Sequence, residues 1–583
     1  GIFSGALIVN MMSFKGGFKA IWDTYLMNSI ADVDHTYVVL FTMFLSGLVG
    51  MMEKSGGVLG LSNSLVKFAT TSRTAQLVAF ACGFLLFFDD YTNALVVGAT
   101  MRPITDLMGV SREKLAFIVD ATSAPIAATF PISSWVGFEV GEINKQLIKI
   151  KSNNGGEMPL DLQDNGFSVY ISSIPWRFYP IFMVFFQVIL IAAKREFGPM
   201  LIAERKAVVY GRTDGGDGGI KQAKALQDAN KPLELTPKRW WNMIVPVLLL
   251  IFLVLYVLFM TGVDVVGTGM PVKEIIQEAD SYSALLFGTI GTSLITLIFY
   301  AIQHKHEGQI VPPTPKGFLA KGPAVGQVED EFAEDAEGPR MLMSPTESLD
   351  AWLQGLVVIF PAVIVLYLAW AMAGVMGDVG ADRFFSAVVL ESGVQGELPA
   401  ITFILSLFMA LCTGTSWGTM GIMYPLTLVT AAEVAVILGD KNLFYAVVGS
   451  ILSGAVCGDH CSPISDTTVL SSVATNTDLT KHVYTQLPYA LVVAMWAILV
   501  GYLPGGLGAY SAAIGILIGF IAILVTVFAI GVPVVHSTGR FDPITELYIR
   551  LSGNTQLKED TAAFYENGGE PIAESVAVKT TDL

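Results

Sequence analysis

The chain has little charge and little cysteine, and it lacks the short signatures of membrane-embedded enzymes. Only 14% of its 583 residues are charged, against 53% hydrophobic, which is far more apolar surface than one soluble core could bury. The four cysteines, Cys82, Cys412, Cys457 and Cys461, fall in or beside apolar runs and read as small buried hydrophobes, so no disulfide framework is indicated. There is no His-Glu-x-x-His, and Val456-Cys457-Gly458-Asp459 lacks the first glycine of a Gly-x-Gly-Asp, so neither zinc protease nor intramembrane aspartyl protease chemistry is expected. Short alternating segments are missing too, which excludes a porin-like barrel.

What is present is one apolar run after another, each of about 20 residues and long enough to span about 30 Å of hydrocarbon as a helix. Mean hydropathy is +0.60. Candidate spans are 36–53, 75–101, 113–138, 167–193, 241–261, 281–302, 351–376, 399–438, 443–475, 484–504 and 508–537. The reading is an all-α polytopic membrane protein of roughly 11–13 spans. Gly1 is not a methionine, and Ile2 to Met12 read like the end of a helix that starts earlier, so some N-terminal sequence is expected to be missing.

The organisation expected is a first half of the membrane core over 1–193, a cytoplasmic loop over 194–240, membrane segments over 241–302, an acidic cytoplasmic loop over 303–350, a second half of the membrane core over 351–537 and an acidic tail over 538–583. Residues 303–350 carry nine acidic and four basic side chains, and the tail eight and four, more than half of the net charge of -16. Both read as solvated polar segments. Basic residues flanking the spans place Lys194-Arg195, Lys238-Arg239, Arg102, Arg112 and Lys114 inside. Arg102, Lys114 and Arg177 read first as topology anchors, and Glu139 and Glu142 as residues at a span end in water.

Carboxylates then appear where the pattern demands membrane, in Phe87-Phe88-Asp89-Asp90-Tyr91-Thr92-Asn93 and in Cys457-Gly458-Asp459-His460-Cys461-Ser462-Pro463-Ile464-Ser465-Asp466. A charge at bilayer depth costs at least about 2.5–3.5 kcal/mol, so residues kept there read as ion or proton carriers. The bland alternatives are helix capping for Asp89, Asp90, Asp459 and Asp466, a hydrogen-bond hub for Asp120, and a packed donor for His460. Setting Ser123–Ser134 over Cys461–Ser472 gives five identities in twelve, which suggests an internal repeat. At 40 residues, or about 60 Å of helix, 399–438 is long enough to cross twice, and two crossings invert the second element relative to the first. Pro125, Pro463 and the Gly414 region of Cys412-Thr413-Gly414-Thr415-Ser416 are the expected helix breaks, where unwound carbonyls and hydroxyls can hold Na⁺. Cys457, Asp459, His460 and Cys461 match zinc ligands by type but lack a second pair.

Phe87 to Glu139, Cys412 to Pro425 and Ser453 to Ser472 closely resemble the NhaC family of sodium/proton antiporters, within the ion transporter superfamily, and the likeness runs from about Ser13 to Pro504. The resemblance implies a bacterial inner-membrane carrier built of two inverted repeats with interrupted helices, often a homodimer, exporting Na⁺ in exchange for H⁺. It also brings in relatives that couple cations to organic substrates such as malate and lactate. Carried onto this sequence, the matching positions are Asp89, Asp90, Asn93, Asp120, Thr413 to Ser416, Asp459 and Asp466; Ser465 and His460 join them from the reading of the residues. Na⁺ is expected at Asp89, Asp459 and Asp466. The partners expected are the lipid bilayer, Na⁺, H⁺ and, in the rival reading, a small organic solute; no cofactor and no nucleic acid are called for, and the chain is not expected to be an enzyme.

Overall fold

The computed structural model describes residues 2–10, 12–211, 236–272, 275, 278–303 and 342–534, with Glu559 and Ala562. The expectations for most of 303–350 and for the tail fall outside these residues. In chain order the helices are α1 (Ile2–Val9), α2 (Phe14–Ala20), α3 (Met27–Ala31), α4 (Val33–Lys54), α5 (Gly57–Val66), α6 (Ser72–Leu85), α7 (Asp90–Leu107) and α8 (Arg112–Ala127). They continue with α9 (Val136–Asn153), α10 (Gly166–Ser173), α11 (Phe178–Ala193), α12 (Gly198–Tyr210), α13 (Trp241–Val266), α14 (Ser281–Ala301) and α15 (Pro345–Val379). The last are α16 (Ala381–Ser392), α17 (Leu398–Thr413), α18 (Ser416–Leu438), α19 (Lys441–Cys461), α20 (Asp466–Thr475), α21 (Leu479–Trp496) and α22 (Ala512–Ile530). Two residues of β1 (Arg195–Glu196) pair antiparallel with β2 (Val532–Pro533).

Among the described residues, eight helices are long and apolar enough to cross a membrane, or nine if the pair Gly166–Trp176 and Phe178–Ala193, bent by 46°, counts as one span. This is fewer than the eleven stretches read from the sequence, because several of those are not single helices. The stretch 75–101 is split between α6 and α7, 113–138 between α8 and α9, 399–438 between α17 and α18, and 443–475 between α19 and α20. Large apolar side chains at Leu248, Phe252, Leu255 and Phe259 on α13, and at Leu517, Ile521 and Val525 on α22, face outward. Spaced three or four apart, they form the stripe that a helix presents to lipid.

The chain divides into two compact units, one of 1–30, 65–223 and 365–583, the other of 31–64 and 224–364. In the second, α4, α13 and α14 pack together. The first contains every broken helix and every candidate site residue. Its centre is α19, buried over its whole length from Leu443 to Cys461. Gly458 lets α19 lie directly on α17, because a Cβ there would collide with the Leu407 carbonyl.

Sequence chemistry explains where the helices start again after each break. Asp89 caps α7 by accepting the Thr92 N–H at 2.9 Å, Thr415 caps α18, Ser465 caps α20 and Asp478 caps α21. Gly414 ends α17 at φ +66°, the left-handed conformation that glycine adopts freely. One expected break is corrected. Pro125 lies inside α8, which runs on to Ala127, and the chain unwinds over 128–135 instead. Proline's missing N–H frees the Ala121 carbonyl, and Gln187 Nε2 takes it up at 2.9 Å, so the helix survives its proline.

Candidate functional site

Breaks one after another in the first unit bring two helix starts together. α20, beginning at Asp466, packs on α7, beginning at Asp90, and on α8. Across that contact Tyr91 Oη donates to Asp466 Oδ2 at 2.5 Å. The break at 462–465 lies against the break at 414–415: a Cβ on Gly414 would stand 2.7 Å from the Ile464 carbonyl oxygen, and Ser462 Oγ donates to the Leu411 carbonyl at 3.0 Å. Ser134, in the 128–135 break, donates its N–H to the Phe88 carbonyl at 2.9 Å, which ties that break to the one before α7.

Four carboxylates collect at these breaks. Asp89, Asp90 and Asp459 are 4%, 1% and 0% exposed, and Asp466 is partly buried. The charges of Asp89 and Asp466 reach Asp90, and that of Asp466 reaches Asp459. Asp89 is satisfied by the N–H and hydroxyl of Thr92 at 2.9 and 2.7 Å, and Asp466 by Tyr91 and by the Thr467 N–H. Asp459 Oδ2 accepts from Thr467 Oγ1 at 3.1 Å. In contrast, Asp90 Oδ1 and Asp459 Oδ1 are buried without any partner at hydrogen-bond distance. Bare carboxylate oxygens in a dry interior are costly unless a proton or a cation completes them.

The other sequence candidates take distinct places. Asn93 is wholly buried, yet its amide spans two backbones, donating to the Gly83 and Thr122 carbonyls at 2.7 Å each. It therefore clamps α6 and α8 and does not pair with either neighbouring aspartate. Thr413 is exposed and its hydroxyl donates to Met409 O at 2.8 Å; Cys412 beside it is exposed too, unlike the buried Cys82, Cys457 and Cys461. Ser416 is buried, and the Thr415 and Ser465 hydroxyls serve as caps. Among the described residues no three side chains of His, Cys, Asp and Glu form a metal-ligand group. A cation at the α7–α20 contact must therefore also draw on hydroxyls and carbonyls.

Asp120, on α8, is surrounded by donors. Its Oδ2 faces Gln486 Nε2 at 2.8 Å, Thr468 Oγ1 at 3.1 Å, His482 Nε2 at 3.3 Å and His460 Nε2 at 3.7 Å, and Oδ1 accepts from Ser471 Oγ at 3.5 Å. His460 Nδ1 meets Tyr179 Oη at 2.8 Å. The carboxylate thus joins α8, α19, α20 and α21.

Two expectations about surface charges are corrected. Glu139 and Glu142 are 0% and 2% exposed, not in water. Glu139 pairs with Arg177 at 3.2 Å, and Glu142 accepts the Trp370 indole N–H at 2.5 Å. Arg177 is no surface anchor either: it also donates to the Ala128 carbonyl, while Tyr170 Oη reaches Phe130 O at 2.6 Å, so carbonyls of the 128–135 break are answered by protein. Lys114 is likewise buried, 2.7 Å from Glu196. Sequence reading passed over His482, Gln486, Tyr91 and Tyr179; a histidine four residues before a glutamine on one helix, at 482 and 486, was the available signal.

Residues 340–506 match a family model described as the Na⁺/H⁺ antiporter family. The chain is 28% identical over 533 residues to an uncharacterised protein of Haemophilus influenzae, covering 91% of this chain and 90% of that one. It is 32% identical over 155 residues to an uncharacterised Na⁺/H⁺ antiporter of the same organism, covering 25% and 31% of the two chains. A malate-2H⁺/Na⁺-lactate antiporter of Bacillus subtilis is 38% identical over 112 residues, covering 18% and 22%.

Proposed function

We propose, from the match of residues 340–506 to the Na⁺/H⁺ antiporter family model, that this chain exchanges Na⁺ for H⁺ across the bacterial inner membrane by alternating access. It is a multi-pass secondary transporter and not an enzyme. The observation that supports the sodium reading best is the set of Asp89, Asp90, Asp459 and Asp466 at interrupted helices, with Asp90 Oδ1 and Asp459 Oδ1 buried and bare. Carboxylates this close cannot all remain charged without compensating cations, whether H⁺ or Na⁺. Na⁺ takes oxygens of Asp459, Asp466 and Asp89 together with break hydroxyls such as Ser465 and Ser416, and with carbonyls freed by the breaks. The homodimer implied by the resemblance is carried in the same reading, and the mass of the detergent-solubilised particle tests it.

The test uses vesicles holding purified Asp89→Asn or Asp459→Asn protein. Asn is as good a helix cap as Asp, so Asp89→Asn keeps the start of α7 while removing the charge. Both variants are expected to fold and to lose Na⁺-driven proton movement; undiminished exchange in both overturns the assignment.

A second reading, a Na⁺-coupled carrier of a small organic solute, draws on Trp417. Its buried indole N–H has no partner, it packs on Trp135 with ring centroids 5.7 Å apart, and it lies in the first turn after the 414–415 break. Uptake of a labelled panel of organic acids and amino acids, with and without a Na⁺ gradient, separates the two readings.

A further inference from the structure

We infer that His482, with Asp120 as its counter-charge, is a proton-carrying station separate from the carboxylates that take the cation. The inference deepens the sodium/proton reading and rests on it.

Asp120 differs from the other buried aspartates in what surrounds it. Gln486 and Thr468 donate to Oδ2, the His482 and His460 Nε2 atoms lie 3.3 and 3.7 Å from it, and Ser471 donates to Oδ1 at 3.5 Å, so this carboxylate is ringed by donors and imidazoles. Asp90 and Asp459, by contrast, each keep one bare oxygen. The two jobs are thereby divided between two sets of groups on the same helices.

His482 supplies the titratable atom. It is 0% exposed, and Nε2 stands 3.3 Å from Asp120 Oδ2. A neutral imidazole has one N–H and one lone pair, and with Nε2 facing a carboxylate the N–H belongs there. Neither ring nitrogen makes a hydrogen bond, but only Nε2 lies against the Asp120 carboxylate, which leaves the lone pair on Nδ1. A proton arriving from water forms a bond at Nδ1 and leaves from the same atom, and nothing is oxidised or reduced. The ion pair formed, imidazolium on carboxylate, has no net charge, so a single proton toggles the pair between net negative and neutral. The other ionisable groups facing the pair, through Asp120, are His460 and Asp459 from α19, Asp466 from α20 and Tyr179 from α11.

The link to the cation is the first turn of α20. Thr467 donates to Asp459 and the adjacent Thr468 donates to Asp120, at 3.1 Å each. A cation that pulls Asp459 off Thr467 displaces the turn that also holds Asp120, and a change of charge at Asp120 and His482 acts back through the same turn. Coupling of this kind is reciprocal by thermodynamic necessity.

The test compares full-length wild type and His482→Gln in proteoliposomes by two assays, ²²Na⁺/Na⁺ exchange at fixed pH and Na⁺-driven proton movement followed with a pH-sensitive dye. The variant is expected to keep Na⁺/Na⁺ exchange, to lose at least about tenfold of its proton movement, and to lose the pH dependence of the exchange seen in wild type. Proton movement at the wild-type rate and with the wild-type pH profile overturns the inference. Should the variant fail to fold, NMR titration of the histidine rings in wild type decides: a His482 ring that keeps one protonation state across the window in which transport changes also overturns it. Wild-type vesicles without Na⁺ flux of either kind sink the sodium reading instead, and the ring titration then judges the proton station by itself.

Discussion

Asn93 shows how a polar residue in a site motif can serve structure. Its amide answers two carbonyls, Gly83 O and Thr122 O, in an interior where water cannot replace it. Asn93→Ala leaves both acceptors unpaired at about 1–3 kcal/mol each, so a lower thermal midpoint is expected, with Na⁺ affinity unchanged in the folded fraction. A large loss of affinity at unchanged stability would make Asn93 a ligand after all. The motif Phe87 to Asn93 was readable because carboxylates interrupt an apolar run. Which of its residues stays bare was not, since the Thr92 hydroxyl chooses Asp89 and leaves Asp90 Oδ1 open only once the helix has formed.

At the scale of elements, the breaks carry the design. Gly414 stands at φ +66° with the Ile464 carbonyl in front of it, so Gly414→Ala combines left-handed strain of about 1–2 kcal/mol with a collision between two breaks. Transport is expected to fall while membrane insertion, judged by the yield of folded protein, stays near wild type. α12 offers a pH test outside the spans. Glu204 accepts the Ser111 N–H and hydroxyl at 2.8 and 2.7 Å at the cap of α8, and with Glu196 it lines a cavity of about 440 Å³. Burial, then the neighbouring Glu196 charge, pushes its carboxyl up to about 7 from an ordinary 4.5, against the pull of Lys114. A raised acid holds its proton in the seated state and gives it up when released, so the seating of α12 is strongest below the ordinary value and weakens as pH rises through about 7. Hydrogen-exchange protection at 198–211, corrected for the intrinsic pH dependence of exchange, should fall from acid to neutral pH in wild type and stay level in Glu204→Gln. The proline at 463 and the glycine at 414 announced their breaks in the sequence; Pro125 did not behave alike, because Gln187 from another helix supplies the missing donor.

For the whole molecule, the apolar stripes of α13 and α22 are the surface that the bilayer must cover. Phe252 and Leu517 are 63% and 60% exposed, and replacing either by lysine puts a charge against lipid at about 2.5–3.5 kcal/mol near mid-span. A reduced membrane-integrated yield is expected for both, whereas lysine at a position in water would be neutral. The charges that the sequence placed at the membrane surface make the opposite point. Glu139, Arg177 and Lys114 look like span-end residues one at a time and become interior ion pairs only because chain segments tens of residues away bring the partner.

By itself the sequence determined the all-helical membrane class, since apolar runs of span length have no other stable arrangement in lipid, and it marked the carboxylates that pay a burial cost without a local reason. Tertiary structure alone decided which helices are cut, which carboxylate oxygens stay bare, and that Asp120 meets His482 across 362 positions of chain. Those outcomes depend on hydrogen bonds and charge contacts between distant segments, and such contacts leave no periodic trace in the order of residues.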